Sequence, residues 1–526
     1  MDIEAFRKAG HEVVDKICDY YASLEQRPVG AQVKPGFLRE AVPDEAPEKG
    51  EEWSVISKDY DEIILPGITH WQAPGFMAYF PANATFEGCL ADLHAAAISN
   101  PAFNWSCSPS VTELEILVLD WIAKALHLSP AFLSTSEVGG GIILGSASEV
   151  AVTVMVAARE RALAMLSDAR GAEVPADGGA RPEATVQETG TQHKDLDDEE
   201  QWGKWRGDAT GRLVAYGTTQ THSIGSKACL ILGLAFRALD VKAEDGYALR
   251  GDVLRKALEE DTAKGRVPFM LIGTFGTTSS GAVDNLKEIG QVAKDYPMLW
   301  LHCDAAYAGV AMSLPEVREA STDLAAINEC FDSYSTNMHK WGLVQFDCSP
   351  LFVRDRGALT RALTVTPEYL RTKHGDAGSV LDLRNMQISL GRRFRSLKVW
   401  FVLRSFGLEG FRAHLRNGIS LAQGFAEQLR EHGKPFAIVA PPRYALVVFR
   451  LDPTGAGGQS EELDALNRRF WEAIQEYSKE IQLTQTVLPE VGFCIRLVVG
   501  APSTRQQHID MAWRILQECA DKTLKA

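Results

Sequence analysis

The feature that most constrains this fold is an alternation of short apolar runs with helical stretches between residues 212 and 355. Strands that alternate with helices favour βαβ units, in which helices cover both faces of a mostly parallel sheet. In such a sheet a ligand binds beyond the carboxyl ends of the strands. Polar side chains that directly follow a strand are therefore candidate site residues. The predicted strands are 212–216, 269–274, 298–302, 333–336 and 351–354.

Helical patterns lie outside this region. Residues 1–25 carry apolar side chains at helical spacing and predict an amphipathic helix, which packs either on its own domain or on a second subunit. Further helices are predicted at 111–128 and at 148–166. At the start of the first of these, Thr112 and Glu115 have the spacing of a capping box.

These patterns divide the chain into an N-terminal helical segment at 1–85, a large domain at 86–404 and a small C-terminal α+β domain at 405–526. The small domain has predicted strands at 444–451 and 492–499. Residues 167–211 contain many Gly, Pro and acidic residues and few large apolar ones. That composition is typical of a mobile surface insertion.

Charge and cysteine usage exclude several classes of protein. The net charge of −15 argues against binding to nucleic acid or to an anionic membrane. The nine cysteines are scattered without a Cys-x-x-Cys motif, which argues against a zinc site and a disulfide framework. The first residues are acidic, unlike a signal peptide, and the apolar runs are too short to span a membrane. We therefore expect a cytoplasmic protein without a metal.

Two motifs follow predicted strands and contain reactive side chains. Lys340 lies in residues 335–341 (STNMHKW), beside a histidine and a tryptophan. Burial there lowers a lysine pKa, as a Schiff-base lysine requires, although a lone lysine more often lies on an ordinary loop. Asp304 lies in residues 302–309 (HCDAAYAG). Its carboxylate either pairs with a protonated pyridine nitrogen or caps the next turn.

Two further motifs complete the set. Glycines 139–141, followed by residues 145–149 (GSASE) and a helix, are typical of a phosphate-binding loop, though helix N-termini often look this way. His222, in residues 219–223 (TQTHS), follows a strand and either stacks on a flat ring or has a structural role. Each motif alone is weak evidence for a function, and the order of the four motifs along the chain is more informative.

In that order the sequence resembles the pyridoxal-phosphate (PLP) dependent group II amino-acid decarboxylases, a family that includes aromatic-L-amino-acid, tryptophan, tyrosine and histidine decarboxylases. The resemblance runs from residue 3 to about residue 520, apart from the insertion. It includes residues 66–81, 108–115, 273–285 and 387–400. It implies fold type I, the aspartate-aminotransferase-like fold, with a mostly parallel seven-stranded sheet. It also implies a homodimer with the active site at the subunit interface, which favours residues 1–25 as an interface helix.

The resemblance assigns a role to each matching residue. Lys340 holds PLP as a Schiff base, Asp304 pairs with the pyridine nitrogen, and His222 stacks on the ring. Phe346, Leu390 and Gly391 complete the neighbouring subunit's site. Further cofactor contacts are Ser146, Ala147, Ser148, Thr278, Ala306, Asn337 and His339.

Tyr369 lies in a stretch, 358–379, that resembles the family's mobile catalytic lid, and matches the tyrosine that protonates the substrate Cα. The alternative is a lid residue that only packs on the surface. Relatives that convert the same substrates oxidatively to aldehydes tend to have Phe at this position or to lose the stacking histidine. Because Tyr369 and His222 are both present, we predict simple decarboxylation.

The substrate is predicted to be an aromatic L-amino acid. Relatives that prefer phenolic substrates or histidine often carry Ser where this chain has Gly391, so the extra room favours L-tryptophan, giving tryptamine. Dopa, 5-hydroxytryptophan, tyrosine and phenylalanine are further candidates, and a tyrosine or Dopa preference is the alternative. The family's usual threonine is Ala82 here. By resemblance the apolar wall of the site contains Trp71, Tyr79, Phe80, Pro81, Pro101 and Phe103.

Overall fold

Helices and strands occupy most of the chain in a computed structural model, which describes residues 1–168, 196–455 and 457–525. The α-helices of these ranges are α1 (Ile3–Ala22), α2 (Phe37–Ala41), α3 (Trp53–Asp59), α4 (Phe86–Ile98), α5 (Pro109–Ala125), α6 (Ala147–Asp168), α7 (Leu196–Arg212), α8 (Ile224–Leu232), α9 (Gly251–Ala263), α10 (Leu286–Ala293), α11 (Pro315–Glu319), α12 (Asp323–Cys330), α13 (Met338–Trp341), α14 (Arg356–Leu363), α15 (Lys373–Asp376), α16 (Arg395–His432), α17 (Glu461–Gln475) and α18 (Gln506–Lys525). The strands are β1 (Gly140–Leu144), β2 (Leu213–Thr218), β3 (Ala235–Leu239), β4 (Val267–Thr274), β5 (Trp300–Asp304), β6 (Ser333–Ser335), β7 (Ser349–Val353), β8 (Phe436–Ile438), β9 (Leu446–Leu451), β10 (Thr484–Leu488) and β11 (Gly492–Val498). Short 3₁₀ turns occur at Leu24–Gln26, Leu65–Gly67, Trp105–Cys107, Pro130–Phe132, Ala308–Ser313, Glu368–Leu370 and Leu383–Met386, and a π turn at Tyr60–Ile64.

A seven-stranded sheet with the order β1-β7-β6-β5-β4-β2-β3 forms the centre of one unit of the chain, residues 84–416. Strands β2 to β6 pair in parallel, while β7 runs antiparallel to both of its neighbours. This confirms the predicted α/β fold with a mostly parallel seven-stranded sheet. The five strands predicted in this region are all present, with ends within two residues of those expected.

The apolar runs revealed these strands because the inner strands are buried on both faces. All eight residues of β4 and all six of β2 are buried. A parallel sheet covered by helices on both sides requires continuous apolar runs of this kind. The edge strand β3 was missed, because only one of its five residues is fully buried and its pattern is mixed.

The glycines at 139–141 have a different role from the predicted one. Gly140 and Gly141 lie inside β1, which pairs with β7, and are not part of a phosphate loop. A Cβ atom on Gly141 would lie 2.5 Å from the carbonyl oxygen of Leu351. Close approach of the two strands therefore explains the glycine.

The predicted capping box is also wrong. Helix α5 begins at Pro109, so Thr112 and Glu115 both lie inside it. Glu115 is fully buried, and its Oε1 accepts a hydrogen bond from the backbone N–H of Ile143 at 2.7 Å. The side chain therefore faces the protein interior and connects α5 to β1.

Residues 1–83 and 417–526 form the second unit. Its four-stranded antiparallel sheet has the order β10-β11-β9-β8 and contains the two strands predicted at 444–451 and 492–499. The division at 85 and 404 stays a prediction. Helix α16 is interrupted at Gly407, where φ is 60°.

The predicted insertion at 167–211 is described only in part, because residues 169–195 lie outside the described residues. From Leu196 onward the chain is helical, and α7 packs through Trp205 and the buried Ala209 against the core beside the sheet. Across the described ranges, we find no helix with the length and apolar character needed to cross a bilayer.

Candidate active site

The carboxyl ends of β4, β5 and β6 meet at one edge of the large sheet. Thr274, Asp304 and Ser335 lie side by side in register across the three strands. The backbone N–H of Phe275 donates to the carbonyl of Asp304, and that of Ala305 to the carbonyl of Ser335, both at 2.9 Å. The chain leaving each strand is therefore attached to the neighbouring strand, which fixes this edge.

Asp304 is the last residue of β5 and is 4% exposed. Its Oδ1 accepts a hydrogen bond from the backbone N–H of Ala306 at 3.0 Å. This contact is the turn-capping role considered for it, and it occupies only one of the two carboxylate oxygens. The two roles considered for Asp304 are therefore compatible.

Lys340 lies in the short helix α13, which follows β6. Its backbone N–H donates to the carbonyl of Asn337, and the N–H of Asn337 donates to the carbonyl of Ala306, both at 3.0 Å. Two consecutive hydrogen bonds thus connect Lys340 to the segment that follows Asp304. The lysine side chain is half-buried.

His222, which follows β2, lies within electrostatic reach of both groups. Burial and the positive charge of Lys340 lower the pKa of His222, while the negative charge of Asp304 opposes them. The backbone N–H of Ile224 donates to Nδ1 at 3.3 Å, so a neutral ring carries its proton on Nε2. The structure therefore brings together Lys340, Asp304 and His222, with part of the imidazole exposed.

The loop before α6 lies beside this centre. The hydroxyl of Ser349 is 2.9 Å from Oδ1 of Asn337 and 3.5 Å from the carbonyl of Gly145. Ser146 accepts the backbone N–H of Glu149 at 3.3 Å, an N-terminal capping contact at the start of a 22-residue helix. Unpaired N–H groups and the dipole of such a helix favour an anion at this point. In the first turn of α6, Ala147 is buried and Ser148 is exposed.

The ring of His339 is buried next to Lys340. Its Nδ1 accepts the backbone N–H of Cys348 at 2.9 Å, and its ring contacts Phe346 edge-on at 4.9 Å between centroids. Burial, together with the charge of Lys340, lowers the pKa of His339 to about 4. The imidazole is therefore a neutral packing group at physiological pH.

Other predicted residues are more exposed. Tyr369 is 77% exposed, so the packed centre does not enclose its hydroxyl. Phe346 and Leu390 are 67% and 45% exposed. Thr278 is half-buried in the loop after β4, and Ala306 is buried.

The predicted substrate wall is divided between the two units. In the second unit Trp71 and Tyr79 stack with centroids 5.5 Å apart, and Phe80 and Pro81 are buried. In the unit with the large sheet, Pro101 is exposed and Phe103 half-buried. Pro101 faces Gly391, where an added Cβ would lie 3.9 Å from the Cβ of Pro101.

The sequence did not reveal a network of side chains behind Asp304. His302, two residues earlier on the same face of β5, has Nδ1 2.8 Å from the hydroxyl of Ser333 and Nε2 3.3 Å from that of Ser335. The indole N–H of Trp300 also donates to Ser333 at 2.8 Å. Burial lowers the pKa of His302 to about 4, despite the nearby Asp304. The only sequence signal for this network is the alternation of side chains along β5.

Charged pairs near the loop before α6 were also missed. Arg395 makes two hydrogen bonds to Asp347, at 3.1 and 2.9 Å. A Cβ atom on Gly145 would lie 3.0 Å from Asp347 and 3.2 Å from Arg395. The pair therefore packs closely against the loop, and a larger residue at position 145 would require these side chains to shift.

Comparisons with known proteins agree with the resemblance in the sequence. Residues 35–192 and 185–452 match the pyridoxal-dependent decarboxylase conserved domain. The chain is 40% identical over 527 residues to tryptophan decarboxylase 2 of Oryza sativa subsp. japonica, covering 100% of this chain and 96% of that protein. It is also 40% identical over 527 residues to phenylacetaldehyde synthase of Arabidopsis thaliana, covering 100% and 97%. A crystal structure of Oryza sativa TDC with PLP and tryptamine is similar with a TM-score of 0.87 and 34% identity, covering 99% of both chains.

Proposed function

The chain belongs to the pyridoxal-dependent decarboxylase family, whose cofactor is pyridoxal 5'-phosphate, and we propose that it converts L-tryptophan to tryptamine and CO₂. The observation that carries the proposal is the meeting of Lys340, Asp304 and His222 at the carboxyl ends of the strands. Related aromatic L-amino acids, namely Dopa, 5-hydroxytryptophan, tyrosine and phenylalanine, are proposed as further substrates.

The residues present fit this cofactor by their chemistry. A primary amine on Lys340 suits an aldehyde, and the buried carboxylate of Asp304 suits a protonated ring nitrogen. The lowered pKa of His222 keeps its ring neutral, so it is suited to lie against a flat cationic ring. Ser146 uses its oxygen to accept from Glu149, which leaves the hydroxyl proton for a phosphate oxygen.

The electrostatic arrangement supports loss of CO₂. When bound, pyridoxal phosphate supplies an electron sink for the electron pair that remains as the Cα–carboxylate bond breaks. The buried carboxylate of Asp304 would pair with the ring nitrogen and favour its protonated form. Its carboxylate is already anchored by the N–H of Ala306, so little reorganisation accompanies the reaction.

Tyr369 is proposed to donate the proton that Cα takes up after CO₂ has left. Tyr369 is exposed within the stretch 358–379, and in this proposal a lid movement of that stretch brings its hydroxyl to the site. The named alternative is oxidative conversion to an aldehyde, since one relative is a phenylacetaldehyde synthase. The presence of both Tyr369 and His222 supports the amine as product.

Gly391 supports an indole substrate. Without a side chain at this position, the space beside Pro101 stays open for a bicyclic ring. The further proposed substrate contacts are Trp71, Tyr79, Phe80, Pro81 and Phe103. A decarboxylase that prefers tyrosine or Dopa is the second candidate.

We propose that the protein acts as a homodimer in the cytoplasm. Apolar side chains along α1 are exposed in the single chain, as expected of a helix that packs on a second subunit. They include Ile3, Phe6, Val13 and Val14, which are 73%, 60%, 36% and 44% exposed.

The test is a panel of aromatic L-amino acids with purified protein and added cofactor. Amine, CO₂, ammonia and peroxide are measured together for each substrate. We expect amine and CO₂ in equal amounts, with the highest kcat/KM for L-tryptophan. Ammonia and peroxide equal to the organic product would show an aldehyde synthase, and a higher kcat/KM for tyrosine or Dopa would overturn the tryptophan preference.

A further inference from the structure

Arg392 lies at the centre of a buried polar network that the proposed chemistry does not use. Its Nη2 contacts Oε1 of Glu115, and its Nη1 donates to Oε1 of Gln387. The side chains of Arg392 and Glu115 are 2% and 0% exposed. Desolvation largely offsets the attraction within such a pair, so stability alone is a weak reason for it.

The network connects the core to the segment that contains Leu390 and Gly391. At one end, Glu115 accepts the backbone N–H of Ile143 in β1 at 2.7 Å. At the other end, Nε2 of Gln387 donates to the carbonyl of Ser389 at 2.5 Å and lies 3.4 Å from that of Gly391. The turn from Gln387 to Arg392 is therefore attached to the edge of the large sheet.

The same arginine also holds the segment around Pro101. Its backbone N–H donates to the carbonyl of Pro101 at 2.7 Å. This segment contains two non-glycine residues with positive φ, Ser99 at 46° and Ala102 at 42°. Such conformations persist only where surrounding contacts impose them. Arg392 thus fixes two chain segments relative to each other.

These segments face a common space. Pro101, Gly391, Gln387 and Arg392 line an open cavity of about 520 Å³. Pro101 and Gly391 are neighbours on the wall of that cavity, where a Cβ added to Gly391 would lie 3.9 Å from the Cβ of Pro101. Both walls of this cavity therefore have hydrogen-bonded connections to the buried side chain or the backbone of Arg392.

We propose that Glu115, Arg392 and Gln387 are positioning residues that set the gap between Pro101 and Gly391, and thereby the size of the aromatic side chain accepted. This inference rests on the proposed function. It concerns selectivity among aromatic substrates and not the reaction itself.

The test compares Gln387→Ala and Glu115→Gln with the wild-type holoenzyme. Both variants loosen the turn, Gln387→Ala by removing the contacts to Ser389 and Gly391, and Glu115→Gln by leaving Arg392 without its counter-charge. We expect the ratio of kcat/KM for L-tryptophan to that for L-phenylalanine to fall at least fivefold, mainly through KM. The dissociation constant of the amine formed from L-tryptophan should rise relative to that of the amine formed from L-phenylalanine. This measurement gives a readout independent of turnover.

A matched control is Asp261→Asn in the same unit. Asp261 is 2% exposed and contacts Arg237 at 2.9 Å and the hydroxyl of Tyr216 at 2.8 Å, beside β2 and β3 at the other end of the sheet. We expect a lower melting midpoint but an unchanged substrate ratio for this variant.

The outcomes separate the two proposals. If both network variants keep the wild-type ratio within twofold, or change it no more than Asp261→Asn, the positioning role is refuted. If Glu115→Gln does not fold, Gln387→Ala alone decides the question. A wild type that releases no amine from any aromatic amino acid would refute the proposed function and this inference with it.

Discussion

Gly391→Ser tests the steric argument for an indole substrate. A Cβ atom at Gly391 would lie 3.9 Å from the Cβ and 4.0 Å from the carbonyl oxygen of Pro101, both ordinary contacts. The residue is not among those with positive φ, so serine brings no backbone strain. We therefore expect the melting midpoint to stay close to that of the wild type, as for an ordinary surface substitution.

The effect on substrate choice should be larger. Serine adds two heavy atoms to the space beside Pro101, and one methylene in a binding site changes discrimination by roughly 1–3 kcal/mol, or about 10–200-fold. We expect kcat/KM for L-tryptophan to fall about 10–100-fold on this scale, and that for L-phenylalanine to change less than threefold.

The assay is steady-state amine release with both substrates, beside a thermal melt. Gly203→Ser on α7 is the control, because a Cβ there meets nothing within 4 Å and neither measurement should change. An equal loss for both substrates would refute the steric argument, and a lowered melting midpoint would refute the assumption that serine fits.

Three further predictions concern Lys340, Tyr369 and His302. Lys340→Ala should lose the absorbance of the cofactor–lysine linkage and about 1,000-fold or more in turnover, and retention of both would contradict its role. Tyr369→Phe should lower amine release about 100-fold while ammonia and peroxide rise, and an unchanged amine yield would exclude Tyr369 as proton donor. Burial lowers the pKa of His302 to about 4, so its contribution to stability is full above about pH 6.5 and lost as the pH falls toward 4. That contribution is worth about 3 kcal/mol. Between pH 6.5 and 4.5 the melting midpoint of His302→Gln should therefore fall less than that of the wild type, and equal pH slopes would be inconsistent with a neutral buried ring.

The sequence locates Asp304, His222 and Lys340 at strand ends because the parallel topology of the sheet determines where these residues lie. Asp304 ends β5, and His222 and Lys340 follow β2 and β6. Parallel strands bring their carboxyl ends to one edge of a sheet, so residues distant in sequence converge there without any specific contact between them. An apolar run followed by a polar residue is enough to locate such a position.

Residues that are positioned by contacts between distant parts of the chain leave no comparable signal in the sequence. Glu115 and Arg392 are 277 positions apart, and neither lies at the end of a parallel strand. The spacing of Thr112 and Glu115 even indicated a local capping role, although α5 begins earlier and turns Glu115 inward. Likewise, the sequence predicts a loop at the glycines of β1, because close strand approach and phosphate binding both favour glycine.

Because a few residues determine the product, overall sequence similarity predicts the reaction only in part. The chain is 40% identical both to a tryptophan decarboxylase and to a phenylacetaldehyde synthase, so overall identity does not distinguish amine from aldehyde. Both outcomes begin with the loss of CO₂ from the substrate. They diverge afterwards, when the electron pair on Cα either takes a proton or is given up to oxygen. In the proposed function that choice depends on a proton donor close to Cα, a role that a single side chain can supply. Under the proposed function, Tyr369 and His222 are therefore more informative about the product than overall identity is, although Tyr369 lies outside the packed centre.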